Sequence, residues 1–142
     1  MKNCNICKHN LADSIFEWNS KKHKCCKPCV DRSSKWQVDN WPQVCVKFSK
    51  IADHNKTRLW NEDEYVTAEF LLAQYDKQEG CCFYRHPEGP LKMQTMCRQA
   101  SDGLTIERLN NDLPHTKENC VLACFDCNVR RRNVFKEPLL MC

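Results

Sequence analysis

The chain has little of what marks an exported or membrane-bound protein. No apolar run approaches the roughly 20 residues that a spanning helix needs. Met1 is followed by Lys, Asn and Cys with no apolar stretch behind them, so no secretory leader is read. There is no internal repeat and no low-complexity tract, which excludes a solenoid. Charge of one sign is not in large excess: 22 Lys and Arg against 18 Asp and Glu leave a net charge of +4. That balance is too weak to imply a nucleic-acid partner by itself. The expectation is an intracellular protein of a reducing compartment, in the cytoplasm or nucleus of a host, with no membrane association.

Cysteine is what the sequence has in quantity. There are 13 in 142 residues, several of them in C-x2-C pairs. In a reducing compartment such pairs read as metal ligands rather than disulfides. Mean hydropathy is low, −0.69, although 42% of residues count as hydrophobic. Part of that apolar count is therefore sulfur, and a modest core stapled by metal is expected.

Residues 1–36 read as an N-terminal zinc module. Cys4-x2-Cys7 opens it and Cys26-x2-Cys29 closes it, with Cys25 as a spare neighbour. Two such knuckles bring four thiolates to one tetrahedral point. The metal here would supply folding energy, an apparent value of about 10–16 kcal/mol, and no chemistry. Lys21, Lys22, Lys24, Lys27, Arg32 and Lys35 crowd the same third of the chain, and Arg130, Arg131 and Arg132 stand near the other end. Basic runs of this kind suit a phosphate backbone.

Residues 37–65, which hold Trp41, Pro42 and Trp60, read as an irregular connector packed by aromatics. Residues 66–142 read as a second domain. Within it, 66–79 is expected to be a helix with Thr67 as N-cap and Glu69 in the first turn. Its apolar face is Val66, Phe70, Leu71 and Tyr75, and Gly80 is its stop. "LTIERL" (104–109) and "CVLAC" (120–124) read as strands around the turn-rich "NNDLPHTKEN". A helix over 128–135 follows the Cys124-x2-Cys127 knuckle. The expected unit is ββα. Asn128 at the knuckle–helix junction can point back to Glu107 on the first strand. A carboxylate and an amide oxygen together suit a hard divalent cation that binds phosphate.

The stretch "TIERLNNDLPHTKENCVLACFDCNVRR" resembles the HNH (ββα-metal, His-Me finger) endonucleases. The resemblance implies a small α+β zinc-stabilised fold: an N-terminal Cys4 zinc module joined to an HNH core. It implies Glu107 and Asn128 as ligands of a catalytic Mg²⁺ or Mn²⁺, and Asn119 as a brace of the loop. Arg108 stands where the catalytic His usually is, as in a variant found among some restriction and viral endonucleases. A guanidinium stays charged and cannot take a proton from water, so Arg108 would clamp the scissile phosphate. The base or nucleophile is then sought in His115 or Tyr75, with His54 and His86 as further candidates. Where C-x2-C would be expected, the chain has Cys82-x2-Arg85. A second zinc would use Cys82, Cys124 and Cys127, with His86 or Cys97 as the fourth ligand.

The function implied is metal-dependent cleavage of DNA phosphodiester bonds, of restriction or homing type, with one Mg-type ion per active site. Two nicks on opposite strands need two sites, so a homodimer is expected. Glu in place of Asp at 107 and the missing His also fit a second reading, a catalytically inactive zinc protein that binds nucleic acid. A third, a RING-like protein-binding module, needs interleaved ligand pairs, and here the Cys pairs fall into separate clusters.

Overall fold

The computed structural model describes residues 1–95 and 100–131. Within these the chain is α+β and falls into two compact units, Met1–Asp39 and Asn40–Cys142. No helix among the described residues is long and apolar enough to cross a membrane.

The first unit contains two minimal hairpins and a helix. Strands β1 (Lys2–Asn3) and β2 (Asn10–Leu11) pair antiparallel, as do β3 (Glu17–Trp18) and β4 (Lys21–Lys22). Asn19 and Ser20 turn the second hairpin, both with positive φ (51° and 57°). That is the left-handed backbone a two-residue hairpin turn demands. Helix α1 (Lys27–Asp39) begins inside the second knuckle. The buried centre of this unit is Cys4, Phe16, Cys26 and Cys29.

In the second unit, α2 (Trp41–Asn55) and α3 (Ala68–Lys77) precede a β-hairpin, β5 (Leu104–Arg108) and β6 (Cys120–Cys124), and a last helix, α4 (Phe125–Arg131). The strands pair antiparallel from Leu104–Cys124 to Arg108–Cys120. Strand–strand–helix is the expected ββα unit. Helix α4 starts three residues earlier than expected, because the knuckle itself forms its first turn; residues 132–135 lie outside the described residues. On α3, Thr67 caps the helix by accepting from the Phe70 N–H at 3.1 Å, and Gly80 follows with φ +70°. Tyr65, Val66, Leu71, Leu122 and Ala123 form the middle of the core.

The reading of 37–65 as an irregular connector is corrected. Most of it is α2, with Pro42 in the first turn, where a missing N–H costs nothing. The buried face of α2 carries Trp41 and Val44 but also Ser49 and Asp53. Those two polar residues interrupt the apolar period by which a helix is recognised.

Candidate functional site

Among the described residues, two groups bring metal-type donors together. Sγ of Cys4, Cys7, Cys26 and Cys29 lie within 4.8 Å of one another. So do Sγ of Cys82, Cys124 and Cys127 and a ring nitrogen of His86. In the first group, the backbone N–H groups of Ile6 and Cys26 donate to Cys4 Sγ at 3.4 and 3.3 Å. Burial raises the Cys4 thiol, but the N–H groups of Cys26, Cys7 and Ile6 outweigh it and bring it down to about 5. Cys29 is pushed up to about 12 by its bond with Cys26 and by burial. Four thiolates packed this closely repel one another unless a cation neutralises them. Arg32 adds a donor to Cys29 Sγ at 3.1 Å.

The second group is assembled across the fold. Gln78, at the end of α3, donates to the carbonyls of Cys81 and Leu122 and accepts from the Leu122 N–H. This lashes the segment that carries Cys82 to β6. The Cys124 N–H then donates to Cys82 Sγ at 3.2 Å, and the Cys127 N–H to Cys124 Sγ at 3.4 Å. His86 Nε2 lies 3.5 Å from Cys127 Sγ and 3.9 Å from Cys124 Sγ. The structure thus brings His86 to the place of a fourth ligand; Cys97 lies outside the described residues. Cys81 is turned away, its Sγ 3.6 Å from the Glu79 carbonyl. Four sulfurs in the first group, and three sulfurs with one imidazole in the second, are donor sets that fit tetrahedral zinc.

Alternation along β5 sends neighbouring side chains to opposite faces. Glu107 and Thr105 share one face. Glu107 is 1% exposed. Its Oε1 accepts from Arg131 Nη1 at 2.7 Å. Burial pushes its carboxyl up to about 7, although Arg131 pulls the other way. Asn128 Nδ2 donates to Thr105 Oγ1 at 2.9 Å and to the Ile106 carbonyl at 3.3 Å. Asn128 and Arg131, one turn apart on α4, therefore both engage β5. Three buried atoms in this region, Glu107 Oε2, Arg131 Nε and Tyr84 Oη, have no hydrogen-bond partner among the described residues. Burial and Glu107 raise the Tyr84 phenol, with Arg131 opposing. An unpartnered carboxylate oxygen in so dry a place fits a cation ligand.

Arg108 points to the other face. Its Nη1 donates to the Asn111 and Leu113 carbonyls at 2.8 and 3.1 Å. Its charge acts on His115. The expectation of a guanidinium beside an ion shared by Glu107 and Asn128 is corrected on this point: a straight strand cannot aim residues 107 and 108 the same way. His115 is 8% exposed and is held by Asp53. Oδ2 of Asp53 accepts from the His115 backbone N–H at 2.9 Å and the Tyr65 hydroxyl at 2.7 Å, and lies 2.8 Å from His115 Nδ1. Arg58 completes the group at 3.2 Å from Asp53 Oδ1. Burial opposes the Asp53 charge, but the His115 and Tyr65 donors outweigh it and hold the carboxyl below its usual range. Burial depresses the His115 imidazole despite Asp53, and with Nδ1 turned to Asp53, Nε2 is the nitrogen left to exchange a proton. His115 lines a groove of about 220 Å³ beside β5, together with Thr105, Ile106 and the α2 residues Cys45, Phe48, Ser49 and Ala52.

Asn119 ties the loop between the strands: Oδ1 accepts from the Asn110 N–H, and Nδ2 donates to the Asn110 and Pro114 carbonyls. Tyr75 packs on Trp41, with the Lys92 ammonium over its ring. His54 lines a separate, mainly apolar groove of about 350 Å³ with Arg58 and Trp60. Sequence reasoning missed Asp53, Tyr84 and Arg131. Asp53 sat in the supposed connector. Tyr84 was hidden in the damaged knuckle. Within the basic run expected to grip phosphate, Arg131 is buried, while Arg130 pairs with Asp126 at 3.2 Å and Arg132 lies outside the described residues.

No family model matches the chain, and no curated protein matches it. Among solved structures, it is similar to the rare-cutting HNH restriction endonuclease PacI. The identity is 21% and the TM-score 0.41, over 95% of this chain and 84% of that one. So loose a superposition does not transfer that enzyme's activity to this chain.

Proposed function

We propose that the protein is a metal-dependent DNA endonuclease of the HNH type, with restriction or homing specificity, one Mg-type ion per site and structural zinc in both cysteine groups. One observation carries the reading: Glu107 is buried on β5 with an unpartnered oxygen, on the strand that Asn128 of α4 engages. Those two residues would hold Mg²⁺ or Mn²⁺, which when bound would stabilise charge on the scissile phosphate and on the departing 3′ oxygen. His115, with Asp53 fixing Nδ1, offers Nε2 to accept a proton from water. The groove beside β5 links it to Thr105 and Ile106, the two residues that Asn128 binds. Arg108, on the His115 side of β5, would add fixed positive charge beside the base rather than clamp the ion-bound phosphate. Lys21, Lys22 and Lys24 of the first unit are exposed and suit the DNA backbone. A homodimer would provide the second site needed for a double-strand break.

The second reading, an inactive zinc protein that binds nucleic acid, draws on the Arg131 partner that already neutralises Glu107. Plasmid nicking with Mg²⁺ or Mn²⁺, compared with Glu107→Ala, separates the two. Cleavage by the wild type that is lost in the variant supports the enzyme. DNA binding by both proteins without cleavage by either supports the binder.

A further inference from the structure

Arg131 belongs to a basic run, yet it is 3% exposed. Its Nη1 donates to Glu107 Oε1 and to the Arg108 carbonyl, each at 2.7 Å, and its Nη2 donates to the Leu109 carbonyl. Two of these acceptors are main-chain atoms at the end of β5. The guanidinium cannot swing away without breaking bonds to the backbone. A planar fork held in this way fixes the direction of its remaining partner. That partner is one oxygen of Glu107; the second, Oε2, is left buried and unpartnered among the described residues.

We infer that Arg131 is a positioning residue: it pins Glu107 by Oε1 so that Oε2 is presented to a divalent cation, and it is not a DNA contact. The inference rests on the reading of Glu107 and Asn128 as cation ligands. Hydrogen-bonded partners of metal-ligating groups set ligand orientation, and losing one typically costs about 10–100-fold in metal affinity. A guanidinium that merely stood in for the cation would have to leave when the cation arrived, and three bonds oppose that.

The test uses the full chain with zinc loaded and Mn²⁺ alone as probe. Binding is followed by calorimetry and by the Mn²⁺ paramagnetic resonance signal. Duplex DNA affinity is measured separately at several salt concentrations without Mn²⁺. Arg131→Met is expected to weaken Mn²⁺ binding about tenfold or more, with zinc content and the salt dependence of DNA binding unchanged. Arg131→Lys keeps the charge but loses the fork, and it should also bind Mn²⁺ more weakly; if Arg131→Met does not fold, Arg131→Lys decides. Unchanged or tighter Mn²⁺ binding in the folded variants overturns the inference. So does a salt dependence reduced by about one phosphate contact at unchanged Mn²⁺ affinity. If the wild type has no Mn²⁺ site that Glu107→Gln abolishes, the cation reading itself fails and the inference falls with it.

Discussion

The two cysteine groups have the same number of ligands and rest on different foundations. In the first unit the ligands are the core: apart from Phe16, its buried cluster consists of Cys4, Cys26 and Cys29. In the second unit Cys82, Cys124 and Cys127 border a core that also includes Trp41, Tyr65, Leu71 and Leu122. Metal should therefore make the first unit fold and only trim the second. Burying apolar side chains offsets chain entropy in proportion to the area removed from water, and the first unit has almost none to bury.

The largest expected effect tests that contrast directly. A strong chelator at neutral pH should abolish amide-exchange protection in residues 1–39. Protection in α2, α3 and the β5–β6 hairpin should persist. Simultaneous loss in both units would show that the second also depends on metal for its fold.

A middling effect is expected inside the second unit. Asp53→Ala removes the acceptor shared by His115, Tyr65 and Arg58 and should cost about 3–5 kcal/mol, read by denaturant unfolding, with zinc in the first unit retained. pH sharpens the point. The folded state holds His115 below its ordinary pKa, so the unfolded chain takes up a proton first. The His115 contribution to stability should be lost as pH drops below about 6.5, against an opposite slope from Glu107, whose carboxyl burial raises to about 7. The depressed Asp53 contributes stability above about pH 3.9 that is lost as pH falls further. His115→Asn should flatten the first of these slopes in a series of thermal melts.

The smallest effect belongs to Gly80. Its φ is +70°, and a Cβ there would lie 2.8 Å from Tyr75 Oη and 2.9 Å from Lys92 Nζ. Gly80→Ala should lower stability by about 1–2 kcal/mol in thermal unfolding and leave zinc content unchanged.

What the sequence disclosed follows from which signals are local. Cys4 through Cys29 announce themselves by spacing, and Thr67 by its place before an apolar stripe. The hairpin strands were readable because β-branched Thr105 and Ile106 and the run CVLAC flank turn residues. Asp53 could not be found in this way. Its partners His115 and Tyr65 are 62 and 12 residues away, and its own helix was masked by the polar residues on its buried face. Arg131 misled for the opposite reason: a charged run looks solvated until the fold turns one member inward. Strand alternation, already visible in "TIERL", separates Glu107 from Arg108, and it limits how far a motif's linear order describes a site.

The β5–β6 hairpin also bears on assembly. Two strands leave two lateral rims of backbone polar groups, and such rims invite another chain to add a strand. Here part of each is engaged: Asn128 and Arg131 donate to the Ile106 and Arg108 carbonyls on one side, while Gln78 and Cys82 Sγ occupy Leu122 and Cys124 on the other. A second copy of the protein that added a strand to this sheet would have to displace these contacts.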